Sequence, residues 1–212
     1  MAIITTWSRV EVAERMTAAE FWQEAPEDHK AELINGVLIM APPPLDIHER
    51  LQLFLVTLLR SFAEEHDLGE VRGSRTAVEL GPDQVYEPDI LFVERARSGL
   101  IGRKGVVGPP DLVIEILSAS TAVYDRGEKL RGYEQAGVRE LWLIDPYGPA
   151  GTEFYQLTDG HYSPFLPDSA GLIRSVAMVG LVLDAHWLWP NDRFISVRQA
   201  LLAIEGMRSP KS

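Results

Sequence analysis

The most informative stretch of the chain is an aliphatic run, Leu112 to Leu117, that a single charged residue interrupts. A short run of aliphatic and β-branched residues is typical of a strand that is buried on both faces. The exception is Glu115, whose carboxylate is costly in such a strand unless a cation or a hydrogen-bond donor compensates it. Packing alone does not favour a buried acid, so this position is the first candidate for function.

A helix and a second strand are predicted after this run. A segment of serine and threonine suited to helix capping comes first, and Gly137 is placed to end the helix. Within the helix, Asp125, Lys129 and Tyr133 recur at steps of four and therefore share one face. Leu141 to Pro146 then predicts another apolar strand. Together these elements form a βαβ unit, whose two strands should be parallel and joined by a right-handed crossover.

The rest of the chain alternates between strand and helix patterns. Thr17 and Glu20 form a capping box for a short helix, and two turn signals, Asn35-Gly36 and Asp159-Gly160, predict hairpins. The remaining predicted elements are a helix over Ile47 to His66, strands over Val71 to Leu80, Pro88 to Val93 and Ser175 to Leu183, and a helix over Ile195 to Met207. The predicted fold class is α/β, a mixed sheet flanked by helices with added N-terminal and C-terminal hairpins.

Composition limits the possible classes of protein. With 212 residues and 46% hydrophobic content, one domain over residues 17–207 is expected, with an arm over 1–16 and a flexible tail over 208–212. There is no cysteine, which excludes disulfides and thiolate zinc sites. No apolar run reaches the ~18 residues of a membrane helix, and we expect a soluble, cytoplasmic protein. The net charge of −11 disfavours broad binding to polyanions.

Two acids on neighbouring predicted strands suggest a metal site. Asp89 begins one buried strand and Glu115 lies within the next, so their carboxylates can converge on Mg²⁺, which prefers oxygen ligands. Pro-Asp followed by Glu-x-Lys is the signature of the PD-(D/E)xK nucleases, in which a lysine assists the attacking water. Here Leu117 stands where the lysine belongs, and Lys129 on the next helix is the candidate replacement. Asp111 follows a second proline but lies about 13 Å along the strand from Glu115, too far to share an ion.

Six segments of the chain resemble the Uma-type family of putative restriction endonucleases, a branch of that nuclease superfamily. The matching segments are Thr17 to Phe21, Glu32 to Gly36, Pro88 to Val93, Pro110 to Ser118, the helix with Asp125, Lys129 and Tyr133, and Gly137 to Asp145. The resemblance implies a restriction-endonuclease-like fold, a divalent cation (Mg²⁺ or Mn²⁺), DNA as substrate and a nuclease-type site. By analogy with the family fold, the backbone carbonyl of Ile116 is a third metal ligand and Glu32 has an outer role. Ala31 and Ala119 depart from the family pattern without touching a proposed ligand.

Each candidate also has a structural interpretation. Asp89 could start a strand after proline, Glu115 could form a buried salt bridge, and Lys129 could be a solvated helix residue. Three further candidates are Glu32, which could be a hairpin acid, His48, which could cap or pack a helix, and Asp125, which would hold Lys129 in place. The basic segment from Arg95 to Lys104 is either surface or a phosphate contact.

Two functions remain open from the sequence. One is a metal-dependent endonuclease with Asp89, Glu115 and Lys129 as catalytic residues. The other is a module that keeps the fold and binds nucleic acid or protein without cutting, because Leu117 has replaced the motif lysine. Aromatic and apolar residues at Trp187 to Trp189 favour a homodimer, the commonest closed assembly.

Overall fold

The computed structural model describes residues 15–26, 29–40, 42–190 and 193–208. Its centre is a mixed six-stranded sheet. The strands are β3 (Gly69–Gly73), β6 (Ile90–Glu94), β8 (Leu112–Ile116), β9 (Glu140–Ile144), β10 (Glu153–Thr158) and β11 (His161–Phe165). Their order across the sheet is β11-β10-β9-β8-β6-β3. Strands β8 and β9 are parallel, with Ile114 opposite Trp142, and their other pairings in the sheet are antiparallel. The predicted βαβ unit is thereby confirmed.

A second sheet of five strands lies beside the first. Its strands are β1 (Ala31–Ile34), β2 (Val37–Met40), β4 (Val78–Gly81), β5 (Gln84–Tyr86) and β7 (Val106–Val107). Their order across the sheet is β2-β1-β5-β4-β7. A third, small sheet pairs β12 (Leu172–Arg174) with β13 (Val182–Asp184). Both predicted hairpins are present, but each is an integral part of a larger sheet rather than an addition to one.

Helices cover the sheets. They are α1 (Ala18–Glu24), α2 (Asp46–Glu65), α3 (Ala122–Tyr124), α4 (Leu130–Ala136) and α5 (Val197–Arg208). The capping box at the start of α1 is confirmed, because Thr17 accepts from the Glu20 amide and the Glu20 carboxylate accepts from the Thr17 amide. Between α3 and α4 the chain makes a π-helical turn, Asp125–Lys129, where the sequence predicted a continuous α-helix. Gly137 ends α4 in the left-handed conformation with φ 89°, as predicted.

Strand β8 separates two apolar cores because its side chains alternate between the faces of the sheet. Leu112, Ile114 and Ile116 join the larger core, which α2 and α5 cover. Val113 and Leu117 join the opposite core, to which Tyr133 of α4 also belongs. Glu115 lies on this second face, between Val113 and Leu117 in the alternation. Its carboxylate therefore points toward the helices that follow β8.

Two strand predictions were wrong. The segment Val71 to Leu80 is two strands in different sheets, since the chain turns between them at Arg75, a non-glycine residue with φ 72°. Of the predicted strand Ser175 to Leu183, only Val182 and Leu183 are in a strand, β13, and Ser175 to Leu181 is not. The amides that follow Ser175 bind a side chain instead of a neighbouring strand: the buried Glu140 carboxylate accepts from the Val176 amide at 2.8 Å and from the Ala177 amide at 2.9 Å, and also from Ser175 Oγ at 2.8 Å.

The C-terminal aromatic residues are used within the chain. Trp187 and Trp189 pack against the larger core, and Leu188 is buried in it. The Trp189 indole also donates to the Asp145 carbonyl at 2.7 Å. Their presence therefore gives no separate reason to expect a dimer, which stays a prediction.

The predicted domain limits also stay a prediction, and residues 1–14 and 209–212 lie outside the described residues. In the described ranges, no helix is long and apolar enough to cross a membrane.

Candidate active site

The fold places Asp89 and Glu115 side by side. Strands β6 and β8 are antiparallel with Ile90 opposite Ile114, so Asp89 and Glu115 are the next opposed positions. The Asp89 carboxylate also accepts the Ile116 amide at 2.8 Å, which ties the start of β6 to the end of β8. Both acids are almost fully buried in the protein and line a cavity of about 510 Å³. The pair proposed from sequence therefore occupies one site.

Asp89 is surrounded by donors. Its Oδ1 lies 3.0 Å from Lys30 Nζ, and its Oδ2 lies 3.0 Å from His48 Nε2. Burial opposes the ionised form, but the Lys30 ammonium and His48 outweigh it and lower the pKa of Asp89. Gln52 donates to the backbone carbonyl of the same residue at 2.8 Å. Asp89 is thus held as a carboxylate in one orientation.

Glu115 has a different environment. Its Oε1 accepts from Tyr133 Oη and lies against Lys129 Nζ, each at 2.6 Å. Burial raises the pKa of Glu115 to about 8, because the attraction of Lys129 does not fully offset the loss of solvent and the repulsion of Asp125 and Asp89. The two neighbouring acids therefore differ in proton affinity, an arrangement that occurs often at functional sites.

Lys129 reaches Glu115 from the helix, as the sequence analysis expected. Its ammonium lies 2.6 Å from Glu115, 2.9 Å from Glu32 and 3.2 Å from Asp125, and its side chain is only 2% exposed. Burial opposes its charge, but the neighbouring carboxylates raise the pKa of Lys129 well above its ordinary value. The lysine is an enclosed cation with three carboxylate partners and not a solvated helix residue.

The π-helical turn and one glycine shape the backbone around Lys129. Asp125 and Lys129 are the two ends of the turn, and π turns are frequent at functional sites. One helical turn further, Gly132 packs directly on Tyr86, since a Cβ there would lie 2.2 Å from the Tyr86 hydroxyl. The Tyr86 ring in turn lies 5.9 Å from the Lys129 ammonium. A close approach of helix and sheet thus encloses the lysine.

Glu32 and His48, predicted only as possible site residues, both belong to the cluster. Glu32 on β1 bridges Lys129 and the Glu87 amide, which it accepts at 2.8 Å. His48 lies in the first turn of α2, is buried, and contacts Asp89 rather than capping the helix, whose N-cap is Leu45. The structure therefore brings together every site residue named from sequence.

Two partners of the acids, Lys30 and Tyr133, were not predicted from the sequence. Lys30 pairs with Asp89 across 59 positions of the chain, and no local pattern connects them. A signal did exist: Lys30 and Glu32 are two apart at the start of a strand and therefore point to the same face. Tyr133 was placed on the correct helical face, but its hydrogen bond to Glu115 was not foreseen.

Two other sequence features lie away from this cluster. Asp111 accepts from Arg97 at 2.7 Å and from the Glu94 amide at 2.8 Å, at the opposite end of β8 from Ile116. The basic segment begins at Arg95, after the C-terminal end of β6, whereas Asp89 precedes its N-terminal end. Five strand residues, about 17 Å, separate the two ends. The geometry favours the surface interpretation of the basic segment.

The charges of the cluster suit a divalent cation. Four buried carboxyl groups, Glu32, Asp89, Glu115 and Asp125, face two ammonium groups, Lys30 and Lys129, so two formal negative charges remain uncompensated within this set when all four acids are ionised. Among the described residues, no three histidine, cysteine, aspartate or glutamate side chains form a ready metal cage. A Mg²⁺ ion does not need one, because it usually takes one or two carboxylates and keeps several waters.

The Ile116 backbone agrees with this donor set. Its amide points to Asp89, and a residue of an extended strand presents its N–H and C=O to the same side. Its carbonyl therefore faces the same edge as the Asp89 carboxylate. Two carboxylates and one carbonyl are the oxygen ligands that a hard cation prefers.

A family model described as "Uma2: Putative restriction endonuclease" matches residues 17–185. The crystal structure of a putative nuclease belonging to DUF820, from Anabaena variabilis ATCC 29413, is similar with a TM-score of 0.67 and 22% sequence identity. The match covers 82% of this chain and 97% of that one, and at this identity it shows a shared fold. No curated protein matches significantly.

Proposed function

The chain belongs to the Uma2 family of putative restriction endonucleases, and on this basis we propose that it is a divalent-metal-dependent endonuclease that hydrolyses DNA phosphodiester bonds at the acidic cavity. The observation that carries the proposal is the pairing of Asp89 and Glu115 where β6 begins and β8 ends, with Lys129 in contact with Glu115. Buried acids are expensive, and a site without function would have no reason to keep four of them.

Each residue has a distinct part in the proposed reaction. Asp89, Glu115 and the Ile116 carbonyl would hold the ion, Mg²⁺ or Mn²⁺. The ion supplies positive charge to the phosphate oxygens and makes a bound water more acidic. His48 and the Ile116 amide hold the Asp89 carboxylate in place, and Tyr133 does the same for Glu115. These contacts fix the ligands before the substrate arrives, which is how supporting residues contribute to catalysis.

Lys129 takes the part of the motif lysine in this proposal. Its ammonium touches Glu115, so it lies beside any water that Glu115 helps to hold. From there it can donate a hydrogen bond to the attacking oxygen and stabilise the negative charge that forms on it. Glu32 and Asp125 keep the ammonium charged and in position. Leu117, buried in the second core, has no part in this chemistry.

The proposal includes DNA as the partner, a homodimer as the assembly and the cytoplasm as the compartment. A two-fold dimer would present one site to each strand of a duplex. Because the net charge of −11 repels DNA, a bound divalent ion should assist substrate binding as well as chemistry.

Cleavage assays test the proposal. Purified protein is incubated with supercoiled plasmid and with labelled single- and double-stranded oligonucleotides, in Mg²⁺, in Mn²⁺ and in EDTA. We expect cleavage only with the metal, and its loss in Asp89→Ala and Glu115→Ala. Asp168→Asn is the matched control, because Asp168 is a partly exposed acid in the turn before β12. Equal cleavage by Glu115→Ala and the wild-type protein would refute the proposed site.

The second candidate function is a module that binds nucleic acid or protein without cutting. The observation in its favour is Leu117, which replaces the motif lysine and is packed into the apolar core. If the wild-type protein binds an oligonucleotide with either metal but leaves every substrate intact, this second function takes the place of the first.

A further inference from the structure

Of the two carboxylates proposed as metal ligands, Asp89 is the one whose ion-pair partner, Lys30, can be displaced. Lys30 Nζ lies 3.0 Å from Oδ1, while Oδ2 is used by His48 and by the Ile116 amide. A metal ion that binds through Asp89 therefore has to compete with Lys30 for Oδ1. On Oδ2, His48 and the Ile116 amide hold the carboxylate in its orientation.

The two lysines of the site differ in their freedom to move. Lys129 is 2% exposed and is held by three carboxylates, so its ammonium is confined. The Lys30 side chain is 26% exposed and lines the cavity beside Asp89. Its ion pair with Asp89 can break while its ammonium stays in the cavity, which a buried lysine with three partners cannot do at similar cost.

We infer that Lys30 is the counter-ion of the metal-free site: it neutralises Asp89 until an ion binds, is displaced from Oδ1 by that ion, and then faces the cavity as the cation that meets the substrate phosphate. The inference rests on the proposed function for its last part. It gives the two lysines separate tasks, with Lys129 beside the attacking water and Lys30 at the entrance for metal and phosphate. An ammonium is a compact cation that binds phosphate as a point charge, which suits this second position.

The first test measures metal affinity without any substrate. Free Mn²⁺ is followed by electron paramagnetic resonance during titration of the wild-type protein, Lys30→Met and Lys30→Arg at one pH and one salt concentration. Because Lys30→Met removes the competitor for Oδ1, we expect it to bind Mn²⁺ about ten-fold more tightly or better. Lys30→Arg keeps the cation and should bind as the wild-type protein does. Lys104→Met, which changes a lysine that lies beside Trp22 and does not line the acidic cavity, is the matched control.

The second test measures cleavage at a Mn²⁺ concentration that saturates every variant. We expect Lys30→Met to cut DNA at least about ten-fold more slowly than the wild-type protein although it binds metal more tightly, with partial recovery in Lys30→Arg. A structural role for Lys30 would weaken metal binding and activity together. Equal or weaker Mn²⁺ binding by Lys30→Met overturns the inference, and unchanged cleavage by that variant overturns its second part.

These results separate the inference from the proposed function. Tighter Mn²⁺ binding by Lys30→Met supports the counter-ion role even if the wild-type protein cuts no nucleic acid, in which case the nuclease proposal fails and, with it, only the phosphate-contact part of the inference. His48 and the Ile116 amide still hold Asp89 in Lys30→Met, and a melting curve verifies that the variant is folded. If it is not, Lys30→Gln keeps a polar side chain of similar length without the charge and is used in its place.

Discussion

Replacing Lys129 by methionine tests how much of the stability depends on one buried cation. The substitution keeps an unbranched side chain of similar length and removes only the ammonium, which has carboxylate partners at 2.6, 2.9 and 3.2 Å. Removing one partner of a buried ion pair costs about 3–5 kcal/mol, because the remaining charge stays buried and uncompensated. In a protein of this size, each kcal/mol lowers the melting temperature by about 2–4 °C, so the expected decrease is about 6–20 °C.

The assay is thermal and urea unfolding in metal-free buffer at about pH 9, above the pKa of about 8 of Glu115, followed by circular dichroism. Two companions make it specific. Lys104→Met removes a solvent-side cation and should change the unfolding free energy by about 1 kcal/mol at most. Adding Glu115→Gln to Lys129→Met should restore part of the lost unfolding free energy, since it removes one of the carboxylates left without the ammonium. The effects of the two substitutions on the unfolding free energy should be non-additive by about 0.5–3 kcal/mol. A melting temperature within 2 °C or so of the wild-type value would refute this electrostatic account of the cluster.

Three further predictions concern the pH dependence of the site, the packing of Gly132 and the assembly of the protein. The folded-state pKa of Glu115, about 8, is above its unfolded value, so its contribution to stability is present at low pH and the metal-free protein should lose stability between about pH 5 and 8. The affinity for Mn²⁺ should rise over the same pH range, because binding of the ion releases the Glu115 proton. Unfolding and Mn²⁺ titration at several pH values check both trends, and Glu115→Gln should abolish the part that Glu115 contributes. Gly132→Ala should destabilise the protein by about 1–3 kcal/mol because its Cβ would meet the Tyr86 hydroxyl, whereas Gly127→Ala, whose Cβ would meet no described atom within 4 Å, should cost less than that in the same urea experiment. Multi-angle light scattering at micromolar concentration should give the mass of a homodimer, and a mass near 23.7 kDa would remove that expectation.

Glu115 and Lys129 could be identified from the sequence because of the residues near them in the chain. Glu115 was visible because it is charged within an apolar run, and Lys129 because its spacing from Asp125 and Tyr133 put all three on one helical face. The structure places the Lys129 ammonium on Glu115, and the catalytic role drawn from that contact stays a prediction. Local contrast and periodicity are properties of the sequence itself, which is why these positions could be found without coordinates.

The features that were missed depend on chain segments meeting in space. Lys30 comes before β1 and Asp89 before β6, and only the packing of the two sheets brings them within 3.0 Å. The π-helical turn at Asp125–Lys129 could not be read from a pattern of four-residue steps, because that pattern predicts a regular α-helix. The loss of the predicted strand after Ser175 has a similar cause, since the Val176 and Ala177 amides donate to Glu140, which is 36 and 37 positions earlier in the chain.

The location of a bound divalent cation tests the central claim most directly. A crystal soaked with Mn²⁺ and measured near the manganese absorption edge gives an anomalous peak wherever the ion binds. We expect a peak in the acidic cavity, between the carboxylates of Asp89 and Glu115 and beside the Ile116 carbonyl, with Lys30 moved off Asp89 Oδ1. A peak only elsewhere on the protein, or an acidic cavity that stays without manganese at millimolar concentration, would contradict the claim.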